Sequence, residues 1–318
     1  MTNKNKRSKA RTTAPPAAAQ ASPPSGPALR RGLLGSIFAP RVGGASSMPN
    51  VRASLARGVT VVAGTPAIAI GAVLLLAAEP LGAVVLGYQG PFARFVSALA
   101  VPPLGTSFDA TMSTALFGLQ GGFLAILGFV ALRAIVQALL VAAIVQALRS
   151  TPVGRSTVAL ALRTLPVALA VNMFSVGLLI VTTLVGSVVP TLTLFLQLGA
   201  LVGGVYLLSF APVIAAHEGR RLPDSMGRSV RAARLPGAGN LTLAAIYVVA
   251  SFMVAAIPWP GSELGVNPTV GAWAVVFVAG LLHVAMQAAV AFRYLSVASE
   301  VPGPAPGRRG APRSRTRR

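Results

Sequence analysis

The chain has 318 residues, 54% of them hydrophobic and 10% charged, with a formal net charge of +21. An ordinary soluble domain is about a quarter charged, so a chain of this kind is not a solvated globule. It holds no cysteine, two histidines and six acidic residues, which excludes a disulfide framework and leaves too little for a metal centre or an acid–base pair; no metal, no cofactor and no enzymatic activity are expected.

Residues 1–50 are rich in Lys, Arg, Pro, Ala and Ser, as in Pro23-Pro24-Ser25-Gly26-Pro27. Such a segment cannot bury enough apolar surface to offset its ordering entropy, so a disordered basic tail is expected. It is too long and too basic for a secretory signal. Val51 to Gly58 suits a short lead-in helix at a membrane surface. The first apolar run, about Thr60 to Ala78, reads as a transmembrane span that Pro80 kinks or ends. Between Val59 and Leu148 the charged residues are Glu79, Arg94, Asp109 and Arg133 alone. Phe92, Phe95, Val96 and Leu99 have the spacing of an amphipathic helix lying at the outer interface.

The second span lies within Ala115–Leu148, which is longer than one crossing needs. A basic loop, 149–164, carries Arg149, Arg155 and Arg163. The third span is about Leu165–Val185 and the fourth about Leu192–Ile214, joined by a tight turn at Gly186-Ser187 and Pro190-Thr191. A second basic loop, 217–240, precedes a fifth span at about Leu241–Ile257. Pro258, Pro260, Gly261 and Pro268 break the chain before a sixth span at about Gly271–Ala291. The tail 299–318 is again basic and disordered in expectation, leaving 51–298 as the membrane domain.

The basic segments are the two tails and the loops 149–164 and 217–240. The alternating segments, 79–113, 186–191 and 258–270, hold Arg94 and the acids Glu79, Asp109 and Glu263. Cytoplasmic segments concentrate Lys and Arg, so the pattern predicts an all-α, polytopic bundle of about six transmembrane helices, N-in and C-in, with short interfacial amphipathic helices. The positive charge is thereby explained without nucleic acid. Trp259 and Trp273 flank the last external segment, where an aromatic belt is expected. The predominance of Arg over Lys suits a GC-rich bacterial genome, hence a bacterial cytoplasmic (inner) membrane.

Within 217–240, Pro223 and Asp224 suit the first turn of a helix. Leu222, Met226, Val230 and Ala233 would form its apolar face, with Arg228, Arg231 and Arg234 largely opposite, a basic helix on the membrane surface. Gly154-Arg155-Ser156 and Gly227-Arg228-Ser229 hint at a repeated unit of basic helix plus hairpin. The run Ala211-Pro212-Val213-Ile214-Ala215-Ala216-His217-Glu218-Gly219, followed by Met226-Gly227-Arg228-Ser229-Val230-Arg231, resembles the multi-span membrane domain found with bacterial glycerophosphodiester phosphodiesterases and related uncharacterised families. The resemblance covers about residues 205–250. It implies a membrane-domain architecture and no activity, since the phosphodiesterase domain itself is not represented.

Two groups of candidate residues follow. Arg220, Arg221, Arg228, Arg231 and Arg234 form a lipid- or partner-binding set, with Glu218 expected to pair with Arg220, Arg221 or Arg228. Arg133, Asn172, Gln197, His283 and Gln287 form an intramembrane polar set, because polar groups in lipid are costly. The expectation for Arg133 is that its side chain snorkels to the interface. His217-Glu218 has too few neighbours for a metal site. Gly118-xxx-Gly122 and Gly199-xxx-Gly203 suit close helix packing. The reading favoured by the first set is a non-enzymatic accessory or scaffold protein that contacts anionic membrane lipids or other membrane proteins through basic cytoplasmic loops. The second set favours a small transporter or permease subunit with a polar path between helices.

Overall fold

The computed structural model of the chain describes residues 48–85, 122–235, 239–256 and 268–301. All regular structure among them is helical: α1 Val51–Gly64, α2 Pro66–Val85, α3 Gly122–Leu148, α4 Arg155–Val188, α5 Pro190–Leu208, α6 Ala211–Glu218, α7 Leu222–Ala233, α8 Asn240–Ala256 and α9 Pro268–Val297. Three stretches of these residues, Leu127–Leu148, Arg155–Phe174 and Leu198–Glu218, are long and apolar enough to cross a membrane. The outer surface is correspondingly apolar. Val188 is 80% exposed and Phe195 72%, and Ile70, Leu74, Leu184 and Leu241 also face outward; exposed apolar surface on this scale marks contact with a membrane or another protein.

The first predicted span is in fact two helices. α1 and α2 meet at an angle of 87°, with Thr65 non-helical between them. Proline disfavours helical backbone at the residue before it and suits the first turn of a new helix. Pro66 therefore starts α2, and the Thr65 carbonyl accepts from the Ile68 and Ala69 amides. The helix does not end at Pro80, since α2 runs on to Val85. The surface helix expected at 92–99, Trp259 and most of the external segments lie outside the described residues, as does the side chain of Trp273, whose backbone belongs to α9.

α4 corrects a second expectation. It begins at Arg155 and passes through Pro166 to Val188, 34 residues in all, so the basic loop shrinks to the few residues after Leu148. Packing overrides the local cost of proline here. Thr157, Ala161, Thr164, Ala168 and Val171 are buried along one face, and Ala161 and Ala168 meet Ala134, Ala138 and Ala142 of α3 in an alanine-lined seam. The predicted fourth span is divided between α5 and α6 at Ser209–Phe210, with Pro212 in the first turn of α6. α6 is buried from Ala211 to Ala216 and sits at the centre of the core with Val141, Ile144, Val145, Ala288 and Tyr294. A helix that is apolar all round is placed inside for that reason.

One glycine pair behaves differently from expectation, while Gly118 of the pair Gly118 and Gly122 lies outside the described residues. Gly199 and Gly203 face open space, whereas Gly58 of α1 is the tight crossing: a Cβ there would stand 2.1 Å from the Ala285 carbonyl oxygen and 3.0 Å from the Ala289 nitrogen of α9. Both contacts are backbone and cannot yield without moving a helix. Gly58→Leu is expected to destabilise the protein by about 1–3 kcal/mol, the range for overpacking, read as a lower unfolding temperature in detergent; an unchanged temperature would show that α1 is not held against α9.

Several helix termini gather at one end of the bundle. The chain before α1, the start of α8 and the last turns of α9 are joined through Arg293, and the ends of α6 and α9 are joined to α7 through Arg228. This end also carries the start of α4 and the end of α3, which are linked by the Gln146 side chain donating to Ser156 Oγ at 2.9 Å. Gly154 caps α4 while Gly227 lies inside α7, so the two Gly-Arg-Ser runs occupy different structural places and do not mark a repeat.

Candidate functional site

α7 forms as the sequence predicts, with Pro223 and Asp224 in its first turn. Gly219, at φ +65°, ends α6 in the left-handed region and frees the chain to turn into α7. The orientation of α7 differs from expectation. Its buried residues are Ser225, Arg228, Ser229, Ala232 and Ala233, so Arg228 points into the bundle and not out toward a membrane surface. Small residues at 225, 229, 232 and 233 let the helix sink, and the Ser229 hydroxyl donates to the Leu207 carbonyl at 2.6 Å. Leu222 and Met226 still pack against apolar residues of α4, α5 and α8.

Arg228 is one of several partners gathered at Glu218. Its Nε donates to Glu218 Oε1 at 2.9 Å and to the Tyr294 hydroxyl at 2.8 Å. Its Nη2 donates to the Ala298 carbonyl at 2.6 Å. The Tyr294 hydroxyl donates to Glu218 Oε1 and Arg220 Nε donates to Glu218 Oε2. One carboxylate thus joins α6, α7 and α9. Of the three partners expected for Glu218, Arg220 and Arg228 pair with it, while Arg221 is exposed at the start of α7. Charge-assisted hydrogen bonds of this kind are about twice as strong as neutral ones.

Arg231 is the contrasting case. Its Nε is buried and meets no acceptor among the described residues. Burial, followed by the guanidinium charges of Arg228 and Arg220, holds its pKa below the ordinary arginine value, with Asp224 acting weakly the other way. Arg234 closes the helix as its C-cap. Arg149 and Arg228 lie within electrostatic reach of His217, whose Nδ1 is also buried without an acceptor or donor among the described residues.

A second buried arginine was not legible as a site residue. Arg293 is fully buried. Its Nη1 donates to the Pro49 carbonyl at 2.6 Å and to Ser54 Oγ at 3.2 Å, and its Nη2 and Nε donate to Asn240 Oδ1 at 2.9 and 3.2 Å. Asn240 in turn donates to the Ala233 carbonyl at 3.2 Å, capping the end of α7. In sequence Arg293 looks like one more basic residue closing a span; the four-residue distance from Ala289 to Arg293, on the same buried face of α9, is the only trace of its inward direction.

The intramembrane set is drawn together in part. Arg133 does not snorkel. It is 4% exposed, about 22 Å along α3 from Leu148 at 1.5 Å per residue, with its guanidinium 6.0 Å from the Phe129 ring centre. It lies within electrostatic reach of both Tyr247 and His283. Tyr247 Oη and His283 Nδ1 are 2.6 Å apart and share a hydrogen bond, the rings being stacked at 5.8 Å, and Gln287 is a further hydrogen-bonding neighbour of Tyr247. Asn172 sits elsewhere, on the α3–α4 seam, donating to Gln137 Oε1 at 2.7 Å and to the Ala168 carbonyl at 2.8 Å. The Gln197 side chain lies outside the described residues. A mainly apolar cavity between α5, α8 and α9 is lined by Ser209, Asn240, Tyr247, Met286 and Gln287. No group of three or more His, Cys, Asp or Glu residues that could hold a metal ion occurs among the described residues. The chain matches no family model, and no curated protein or solved structure is similar to it.

Proposed function

We propose that this chain is a multi-pass protein of a bacterial inner membrane, with six spans and both ends in the cytoplasm, and that it works as an accessory or scaffold protein holding anionic phospholipid at its cytoplasmic end. The observation that carries this reading is the charge at the gathered end of the bundle. Arg52, Arg149, Arg155 and Arg221 are exposed there and Arg220, Arg231 and Arg234 half-buried, against Glu218, Asp224 and Glu300. Basic residues beside an anionic leaflet are attracted to it by about 1 kcal/mol each. The same asymmetry supports the topology through the positive-inside rule. The local likeness of 205–250 to the membrane domain of glycerophosphodiester phosphodiesterases agrees with this architecture and adds no activity.

The test replaces Arg220, Arg221 and Arg234 together by glutamine and measures phosphatidylglycerol retained by the purified protein in native mass spectrometry. The expected result is a loss of most of the retained lipid; equal retention would end the reading. Reporter fusions at 188 and 265 should report the external side, and a cytoplasmic signal at either would break the topology.

A second reading, a small transporter with a polar path, draws on the Arg133, Tyr247, His283 and Gln287 grouping beside the α5–α8–α9 cavity. Asn172 and Gln137 belong to a different helix seam, which weakens a single continuous path. His283→Phe abolishing solute flux in proteoliposomes would favour it over the scaffold reading.

A further inference from the structure

We propose that Arg231, with Arg220 beside it, forms a built site for a phosphate group on the flank of α7. This deepens, and rests on, the reading that the basic end meets anionic lipid. Three observations converge. The Arg231 side chain lies back along α7 over Gly227: a Cβ built at Gly227 would be 3.8 Å from Nη1 and would meet nothing nearer. The glycine leaves the flank of the helix open at the guanidinium. The buried Nε of Arg231 meets no acceptor among the described residues, so the burial of this guanidinium is not offset there by a hydrogen bond. The charged groups facing Arg231 are Arg228, Arg220 and Asp224; Glu218, the carboxylate that could serve it, is already engaged by Arg220, Arg228 and Tyr294.

The chemistry that fits is a phosphate. A planar guanidinium fork meets two phosphate oxygens side by side, and an arginine neighbour adds charge without rearrangement. A partly desolvated guanidinium among like charges is poised for an anion that brings its own oxygens. Such a group could arrive as a phospholipid headgroup or as a soluble phosphate, and both present the same atoms to Arg231.

The experiment uses the full-length protein in detergent, titrated in one arm with phosphatidylglycerol and in another with inorganic phosphate, each followed by native mass spectrometry. Arg231→Gln is expected to weaken binding about tenfold, the equivalent of one charge-assisted hydrogen bond, in the arm that carries the true source. Gly227→Glu keeps Arg231 and supplies an internal carboxylate beside it, so it should weaken the same arm to a similar degree. Arg163→Gln, on the exposed face of α4, is the control and should change neither. If Arg231→Gln and Gly227→Glu both match Arg163→Gln in both arms, the site does not exist. If they do so while the Arg220, Arg221 and Arg234 triple variant still sheds phosphatidylglycerol, the site falls and the broader lipid reading stands. If the triple variant also retains its lipid, both fall.

Discussion

Arg293→Met is expected to destabilise the protein by about 3–5 kcal/mol, because several acceptors lose their donor together and each unsatisfied buried group costs about 1–3 kcal/mol. Methionine can fill the volume of the arginine stem, so a cavity is not the main cause. The loss arises at the acceptors. Asn240 Oδ1, Ser54 Oγ and the Pro49 carbonyl all receive from this guanidinium, and the first two would be left buried without this donor. The chain before α1, the start of α8 and the end of α9 would come apart together. Arg293→Lys should recover only part of the loss, because one ammonium cannot reproduce the spread of Nε, Nη1 and Nη2. The measurement is the unfolding temperature in detergent, with limited proteolysis near residue 49. A methionine variant as stable as the wild type would show that Arg293 is not the tie between these elements.

Glu218→Gln is the second large effect. The isosteric amide keeps the shape but removes the charge that faces Arg220 and Arg228 and adds donors where acceptors are needed. With the Glu218 side chain 15% exposed and that of Arg228 7% exposed, water screens part of the interaction, and a loss of about 2–3 kcal/mol is expected from hydrogen bonds to charged groups. The structural consequence should be local. α7 is held to α9 by Arg228 through Tyr294 and the Ala298 carbonyl, so protease cleavage around 219–222 should rise while the α3–α4 seam stays intact. Tyr294→Phe should show a smaller loss of about 1 kcal/mol. In a double-mutant cycle Glu218→Gln and Arg228→Met should be non-additive, because each leaves the same partner stranded; simple additivity would mean that the two side chains act independently.

How much was readable in advance depends on the kind of information each residue carries. The start of α7 is legible nearly to the residue, because Pro223 and Asp224 are local signals of a helix start that act within one turn. The boundary at Thr65–Pro66 carried the same kind of signal but lay inside a strongly apolar run, where hydropathy hides a bend. Pro80 reads in the opposite direction: it looks like the end of a helix, yet α2 runs on to Val85. Pro166 carries a local cost of about 3 kcal/mol in a helix interior, and α4 passes through it with Ala161 and Ala168 packed in the alanine seam with α3. Arg133 and Arg228 were both assigned outward because a charge in a helix is assumed to seek water; what decided otherwise was the presence of Phe129, Tyr247 and His283 near one, and of Glu218 and Tyr294 near the other.

Helical character, enough apolar residues for a membrane, positive charge gathered into a few segments and the lack of thiols are all legible in the sequence alone. Those are properties of composition and of order along the chain, and no folding is needed to read them. Which arginines serve the surface and which tie the interior together depends on how the helices meet. Arg221 and Arg228 are seven residues apart and chemically identical, yet one is exposed and the other buried. The difference lies in partners 10 to 70 residues distant, at Glu218, Tyr294 and Ala298. An interaction between groups that far apart in sequence has no local signature; it comes into being when the helix ends meet.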